Sequence, residues 1–230
     1  MISIITPVLN ESPNIRPFLE HLNTLSGDFE LIFVDGGSTD NTVKEINKYK
    51  KKFIKNLTLL KSFKGRGKQM NKGASVAKGK IILFLHVDCT IQNDAILIIE
   101  KEMKNNKIIG GGMIQAFTFN DRFLKLVSNF GNLRSKMSQI FFGDTGIFIS
   151  RDVFKKIGGY DELIFLEDVE FCRKAKKYGK LKQIDSIIYT SSRRYLKVGK
   201  TKITIIFTIT YFLNKFGFRP KYLTKFIVDK

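Results

Sequence analysis

The sequence predicts an α/β fold in which a mostly parallel sheet is flanked by helices on both faces. Apolar runs alternate with segments of helical spacing through the first half of the chain. The runs are continuously apolar rather than alternating, as in strands buried on both faces. Acids also stand where expected strands end, at Asp35 and Asp88. Ligands of such sheets bind outside the carboxyl ends of the strands, where strand order switches.

Ile2 to Val8 reads as a buried strand, and Asn10, Ser12 and Pro13 as helix-start residues. Ile15, Phe18, Leu19, Leu22 and Leu25 then recur at helical spacing. Glu30 to Val34 is a second strand, closed by Asp35-Gly36-Gly37, and Ser38, Thr39 and Asp40 are placed to cap a helix with Val43, Ile46 and Tyr49 inward. Leu57 to Leu60 is a third strand, Gly65 to Lys78 a loop running into a small helix, and Ile81 to Val87 the most apolar strand. Ala95 to Met103 is helical.

The second half is less regular. Strands are expected at Gly110 to Phe119, Thr145 to Ile149 and Ile184 to Tyr189. Helices are expected at Asp121 to Met137, Arg151 to Ile157 and Asp168 to Tyr178, the last stopped by Gly179. From Lys202 onward the pattern suggests two amphipathic helices broken near Gly217 and Pro220. The expected division is a single domain over 1–200 and a helical tail over 201–230, packed on the domain or on a membrane surface.

At 43% hydrophobic and 27% charged, the composition is globular rather than disordered. Cys89 and Cys172 make no disulfide framework, and no secretory leader or spanning run is evident, so a cytoplasmic chain is expected. The net charge of +19 suits an anionic surface partner, although lysines spread along the chain give the same figure. No nucleic-acid-binding motif appears, and no nucleic-acid partner is expected.

Five segments hold candidate chemistry. In VDGGSTDNT, Asp35 suits a ribose or base, and the same composition suits a plain strand-to-helix turn. In FLHVDC, a strand through Val87 puts His86 and Asp88 on one face. Asp88 there suits Mn²⁺ or Mg²⁺, whereas His86 reads as a ligand or as a hydrogen-bonded core histidine. Arg66 and Lys68 stand in a glycine-containing segment that suits phosphate oxygens or a solvated basic loop. Glu167, Asp168 and Glu170 open a helix, as a general base or as dipole complements. Arg193 and Arg194 suit a diphosphate clamp or surface charge.

Taken in order, these segments resemble the family-2 glycosyltransferases of the GT-A, Rossmann-like fold. The likeness runs from IITPVLNE and LIFVDGGSTDNT through GRGKQMNKGASVAKGKIILFLHVD to FGDTGIFISRDVFKKIGGYDE and LEDVEFCRKAKKYG. The resemblance implies a UDP- or GDP-type nucleotide-sugar donor and a glycan, lipid-phosphate or small-molecule acceptor. Pro7, Glu11 and Asp35 would line the base and ribose pocket, with Arg66, Lys68 and Arg194 at the diphosphate. Asp88 matches the last acid of the DxD metal motif, and His86 replaces its first acid, as in a bacterial HxD subgroup. Asp168, beside Glu167, matches the base of an inverting transfer. The processive-synthase motif QxxRW is absent, which argues against a processive polymerase. Competing readings are a nucleotidyltransferase on a related fold, for which no glycine follows the first strand, and a non-catalytic basic module.

Overall fold

The computed structural model describes residues 1–163 and 166–215. Its strands are β1 (Ile2–Val8), β2 (Phe29–Asp35), β3 (Leu57–Lys61), β4 (Ile81–Phe84), β5 (Cys89–Ile91), β6 (Ile108–Phe117), β7 (Ile147–Ser150) and β8 (Lys180–Thr190). Its helices are α1 (Ser12–Leu22), α2 (Thr42–Lys50), α3 (Arg66–Val76), α4 (Ala95–Glu102), α5 (Arg122–Ser138), α6 (Arg151–Lys156), α7 (Glu167–Ala175), α8 (Arg193–Val198) and α9 (Lys200–Lys215). The strands form one sheet in the order β3-β2-β1-β4-β7-β6-β8-β5.

The first four strands are parallel. Beyond β4 the sheet is mixed: β7 runs antiparallel to β4 and β6, and β5 antiparallel to β8. Side chains leave successive strand residues on opposite faces. Ile2, Ile4 and Val8 therefore pack with α1 and α4, while Ile5 packs with α3, α6 and α7. Both faces are covered, as the apolar runs require.

The sheet must curl. Residues 85–88 alone join β4 to β5, yet β7, β6 and β8 stand between those strands. In a flat sheet that separation is roughly 19 Å. The link also spends part of its length in a turn, where the Cys89 amide donates to the His86 carbonyl at 3.2 Å. The bend lies in β6, whose pairing with β8 shifts register between Ile108 and Gly110 and again between Gly112 and Ile114. A Cβ on Gly111 would collide with the Lys182 carbonyl, so the close crossing requires glycine there.

The same curl ends β4 early. The run expected to continue to Val87 stops at Phe84, with a last bond from the Leu85 amide to the Ile5 carbonyl at 3.1 Å. Other local readings change. The small helix expected within Gly65 to Lys78 starts at once, at Arg66, and β8 begins at Lys180 rather than Ile184. Arg193 and Arg194, expected on a loop or strand end, open a short helix, and β5 was not anticipated. α9 buries Ile203 and Ile206. The break near Gly217 and Pro220, and the second tail helix, lie outside the described residues. Among the described residues no helix is long and apolar enough to cross a membrane.

Phe84, at the end of β4, sits in an aromatic cluster. Tyr160 meets it edge-on at 5.0 Å, and Phe154 of α6 and Phe171 of α7 lie at 5.6 and 6.2 Å. Tyr160 and Phe171 stack at 4.1 Å. Phe171→Ala is expected to lower unfolding free energy by about 3–5 kcal/mol, through lost burial and the cavity left behind. Urea denaturation measures this, and a loss below about 1 kcal/mol would mean the cluster does not anchor α7.

Candidate active site

The strand order turns at β1, which has β2 on one side and β4 on the other. The Gln69 side chain of α3 spans the first gap, donating to the Val8 carbonyl at 2.9 Å and the Val34 carbonyl at 2.7 Å. It thereby ties together the carboxyl ends of β1 and β2.

Asp35 ends β2 and is 3% exposed. Its carboxylate accepts from the amides of Gly37 at 3.2 Å and Ser38 at 3.1 Å. The following loop is knitted to the loop after β1. Asn10, in the left-handed region at φ 55°, accepts from the Thr39 amide at 2.8 Å and donates its own amide to Ser38 Oγ at 2.9 Å. Asp40 accepts from the Ser12 amide at 3.1 Å. Ser38 and Thr39 therefore bond across to the β1 loop, and of the three expected caps only Asp40 reaches α2, accepting from the Thr42 amide at 2.9 Å. Pro7 is buried in β1 opposite Val34. Glu11 is half-buried, with Arg193 Nη2 at 3.6 Å from its carboxylate and its amide donating to Thr42 Oγ1 at 2.8 Å. Pro7, Glu11 and Asp35 thus occupy one corner of the sheet end.

Arg66 opens α3 and reaches across the cleft. Its Nε lies 2.8 Å from Glu167 Oε1 on α7, and Glu167 is only 2% exposed. Burial raises the Glu167 carboxyl to about 7 against the pull of Arg66. Lys68 instead points to the surface and pairs with Glu162 at 3.2 Å. Asn71 fixes α3 to the loop before α7, donating to the Tyr160 carbonyl at 2.8 Å and accepting from its amide at 2.9 Å.

His86 and Asp88 lie in the turn after β4, not on one face of a strand. The chain turns there because Cys89 must pair with Thr190 in β8 at the far edge of the sheet. Burial pushes His86 down to about 4, helped by Arg66 and Arg194 and opposed by Asp88. The ring is therefore neutral at neutral pH. Among the described residues it makes no hydrogen bond, unlike the bonded core histidine that the sequence also allowed. A neutral, unbonded imidazole next to a carboxylate fits the donor set of a divalent ion. Among the described residues, however, no three His, Cys, Asp or Glu side chains are grouped to hold a metal by themselves.

Gly143 joins this side of the cleft to the next. Its amide donates to Asp168 Oδ2 at 2.6 Å, and a Cβ on it would lie 2.8 Å from His86 Nε2. The Asp168 carboxyl is raised by burial, with Arg66 and the Gly143 and Val169 amides pulling the other way. Asp144, which no motif reading singled out, opens into the same space. The surrounding protein atoms, then the Asp168 carboxylate, raise its carboxyl, against Arg134 and Arg194. Its surface is open to water, which tempers the rise. The only sequence signal for Asp144 is an acid between Gly143 and Gly146 just ahead of a strand.

The fold thus brings Arg66, His86, Asp88, Asp144, Asp168 and Arg194 to one cleft, with Glu167 beneath Arg66. It leaves Lys68 outside.

The family model described as Glycosyl transferase family 2 matches residues 3–158. Poly(ribitol-phosphate) beta-glucosyltransferase of Bacillus spizizenii is 35% identical over 101 residues, covering 42% of this chain and 16% of that protein. Poly-beta-1,6-N-acetyl-D-glucosamine synthase of Staphylococcus epidermidis is 25% identical over 185 residues, covering 73% and 44%. The chain therefore spans less than half the length of these relatives. Among solved structures, the mannosyltransferase PcManGT from Pyrobaculum calidifontis, in complex with GDP-Man and Mn²⁺, matches with a TM-score of 0.68 at 19% identity, covering 82% of this chain and 56% of that one. S. aureus TarS 1-349 in complex with UDP-GlcNAc gives 0.63 at 20% identity, covering 83% and 58%. At these identities the structural matches show a shared GT-A-like fold.

The buried Glu167 makes stability depend on pH. Its carboxyl titrates near 7 in the native chain and near 4.5 when unfolded, so the native state retains a proton that the unfolded state releases. Relative to Glu167→Gln, the parent should lose stability as pH rises from about 4.5 to about 7, then level off. Paired denaturation curves across that range check this. A flat difference would mean that the carboxylate stays charged throughout.

Proposed function

Because this chain belongs to glycosyl transferase family 2, we propose that it moves a sugar from a nucleoside-diphosphate donor to an acceptor hydroxyl or phosphate, with inversion at the anomeric carbon. One observation carries the reading: the Gly143 amide holds Asp168 while Gly143 itself packs against His86. An acid with a raised carboxyl is thus set beside the turn that holds His86 and Asp88.

In this reading Asp168 takes the proton of the attacking acceptor oxygen. That oxygen bonds to the anomeric carbon as the bond from carbon to the donor phosphate breaks, and the nucleoside diphosphate leaves with the electron pair. A carboxyl that burial raises above its ordinary value is a stronger base for that proton transfer. Asp35, Glu11 and Pro7 receive the base and ribose, and Arg66 and Arg194 face the diphosphate. Glu167 holds Arg66 in place rather than touching the acceptor. Asp88 and His86 would hold Mn²⁺ or Mg²⁺, with donor phosphate oxygens completing the site. Such an ion, when bound, offsets the charge that develops on the leaving diphosphate. The GDP-Man bound by PcManGT and the UDP-GlcNAc bound by TarS support a UDP- or GDP-type donor here, and the Mn²⁺ of PcManGT supports a divalent ion.

The acceptor is a glycan, a lipid phosphate or a small molecule. We place the reaction in the cytoplasm, at the face of an anionic membrane, which the net charge of +19 supports.

A thermal-shift screen of UDP, GDP and their sugars with Mn²⁺ or Mg²⁺ tests the donor. A bound ligand must raise the melting temperature, by about 2.7 kcal/mol of stabilisation at a hundred times its Kd. Asp88→Asn should abolish the metal-dependent part of the shift. Asp168→Asn should keep donor binding while transfer falls by roughly 10²–10⁴-fold. Full transfer by Asp168→Asn would remove the assigned base, and a product with the donor's anomeric configuration would remove inversion.

A further inference from the structure

We propose that the outer face of α5 and α9 docks on an anionic lipid bilayer, and that the acceptor is therefore lipid-borne. This rests on the transferase reading above and specifies its acceptor.

On α5, Leu126, Phe130, Leu133 and Met137 recur at helical spacing along one line, with exposures of 56%, 71%, 55% and 77%. On α9, Ile209 and Phe212 are likewise exposed, at 46% and 54%. The two helices meet at Arg134, whose guanidinium carbon lies 5.0 Å from the centre of the Tyr211 ring of α9. Beside the α5 stripe run the exposed bases Arg122, Lys125 and Lys136. No Asp or Glu occurs from Arg122 to Gly143, nor from Ser186 to Val228. The bordering Asp121 is paired with Lys200.

An apolar stripe flanked by bases, without acids, is the pattern of a helix lying in the headgroup layer. Anionic headgroups complement the bases while the acyl boundary takes the stripe. A second copy of the chain would present the same positive face and be repelled.

The face also borders the acceptor side of the cleft. Arg134 lies 3.9 Å from the centre of the Phe142 ring, and Tyr211 meets that ring edge-on at 5.9 Å. Phe142 directly precedes Gly143 and Asp144. Seating α5 and α9 on a bilayer thus brings the side of the cleft that holds Asp144 and Asp168 towards the headgroups, where a lipid-linked acceptor would arrive.

Flotation with phosphatidylcholine vesicles, with and without phosphatidylglycerol, tests this. The parent should float with the anionic vesicles at low salt, and release as salt is raised. Phe130→Glu combined with Met137→Glu should weaken binding at least about tenfold, and Lys125→Glu with Lys136→Glu should do the same for anionic vesicles. The four positions are exposed, so each double variant should retain the parent's nucleotide-induced thermal shift. Failure of the parent to float, or binding unchanged by the Phe130 and Met137 changes, would overturn the proposal and leave donor binding untouched. A lipid-free dimer of the parent that the same variants abolish would overturn it too, by assigning the face to a second copy.

Discussion

The rings around Phe84 set where the charges stand. Phe171 stacks on Tyr160, and Asn71 of α3 binds both the amide and the carbonyl of Tyr160. α7 and α3 are thereby fixed against one another by packing and neutral hydrogen bonds, whatever the charge of Arg66 or Glu167. This order of causes matters energetically. Aromatic pairs contribute about 0.5–1.5 kcal/mol each beyond their burial, whereas a buried ion pair roughly breaks even against its desolvation. The Arg66–Glu167 pair is thus better understood as a consequence of the packing than as its source.

Charge within the cleft is arranged in opposition. Burial, helped by Arg66 and Arg194, keeps His86 neutral, and Arg66 also pulls down the carboxyls of Glu167 and Asp168 that burial pushes up. Loss of one cation would therefore move several groups together. The acids and bases here titrate as a set, so that a change of charge at one is felt by the others.

The first four strands were legible because each is a continuous apolar run, and their parallel sense followed from strand–helix alternation. The end of β4 was not legible. Leu85 and Val87 extend the apolar pattern, and both are buried, so nothing local marks the turn. The turn is dictated by Cys89, which pairs with a strand about a hundred residues later in the chain. β5 was missed for the same reason. The acids at 35, 88 and 168 could be singled out because they close strands or open a helix. Asp144 lies in a short 3-10 turn with no periodicity around it. No sequence signal marks the bracing roles of Gln69 and Asn71, and only the tertiary fold shows them bonded to strand ends and to the Tyr160 backbone. The net charge was legible as a quantity but not as a pattern. The acid-free character of α5 and α9 acquires meaning only once they lie side by side.

Gly143 stands between the turn of His86 and the carboxylate of Asp168. Because a single backbone amide separates them, a substitution there would disturb both at once. If the proposed reaction holds, a lineage carrying this fold is therefore free to change the walls that greet an acceptor, on α5 and α9, while the spacing between the turn of His86 and Asp168 is inherited unaltered. Novelty in what is glycosylated would accumulate at the rim, and position 143 would be among the last to vary.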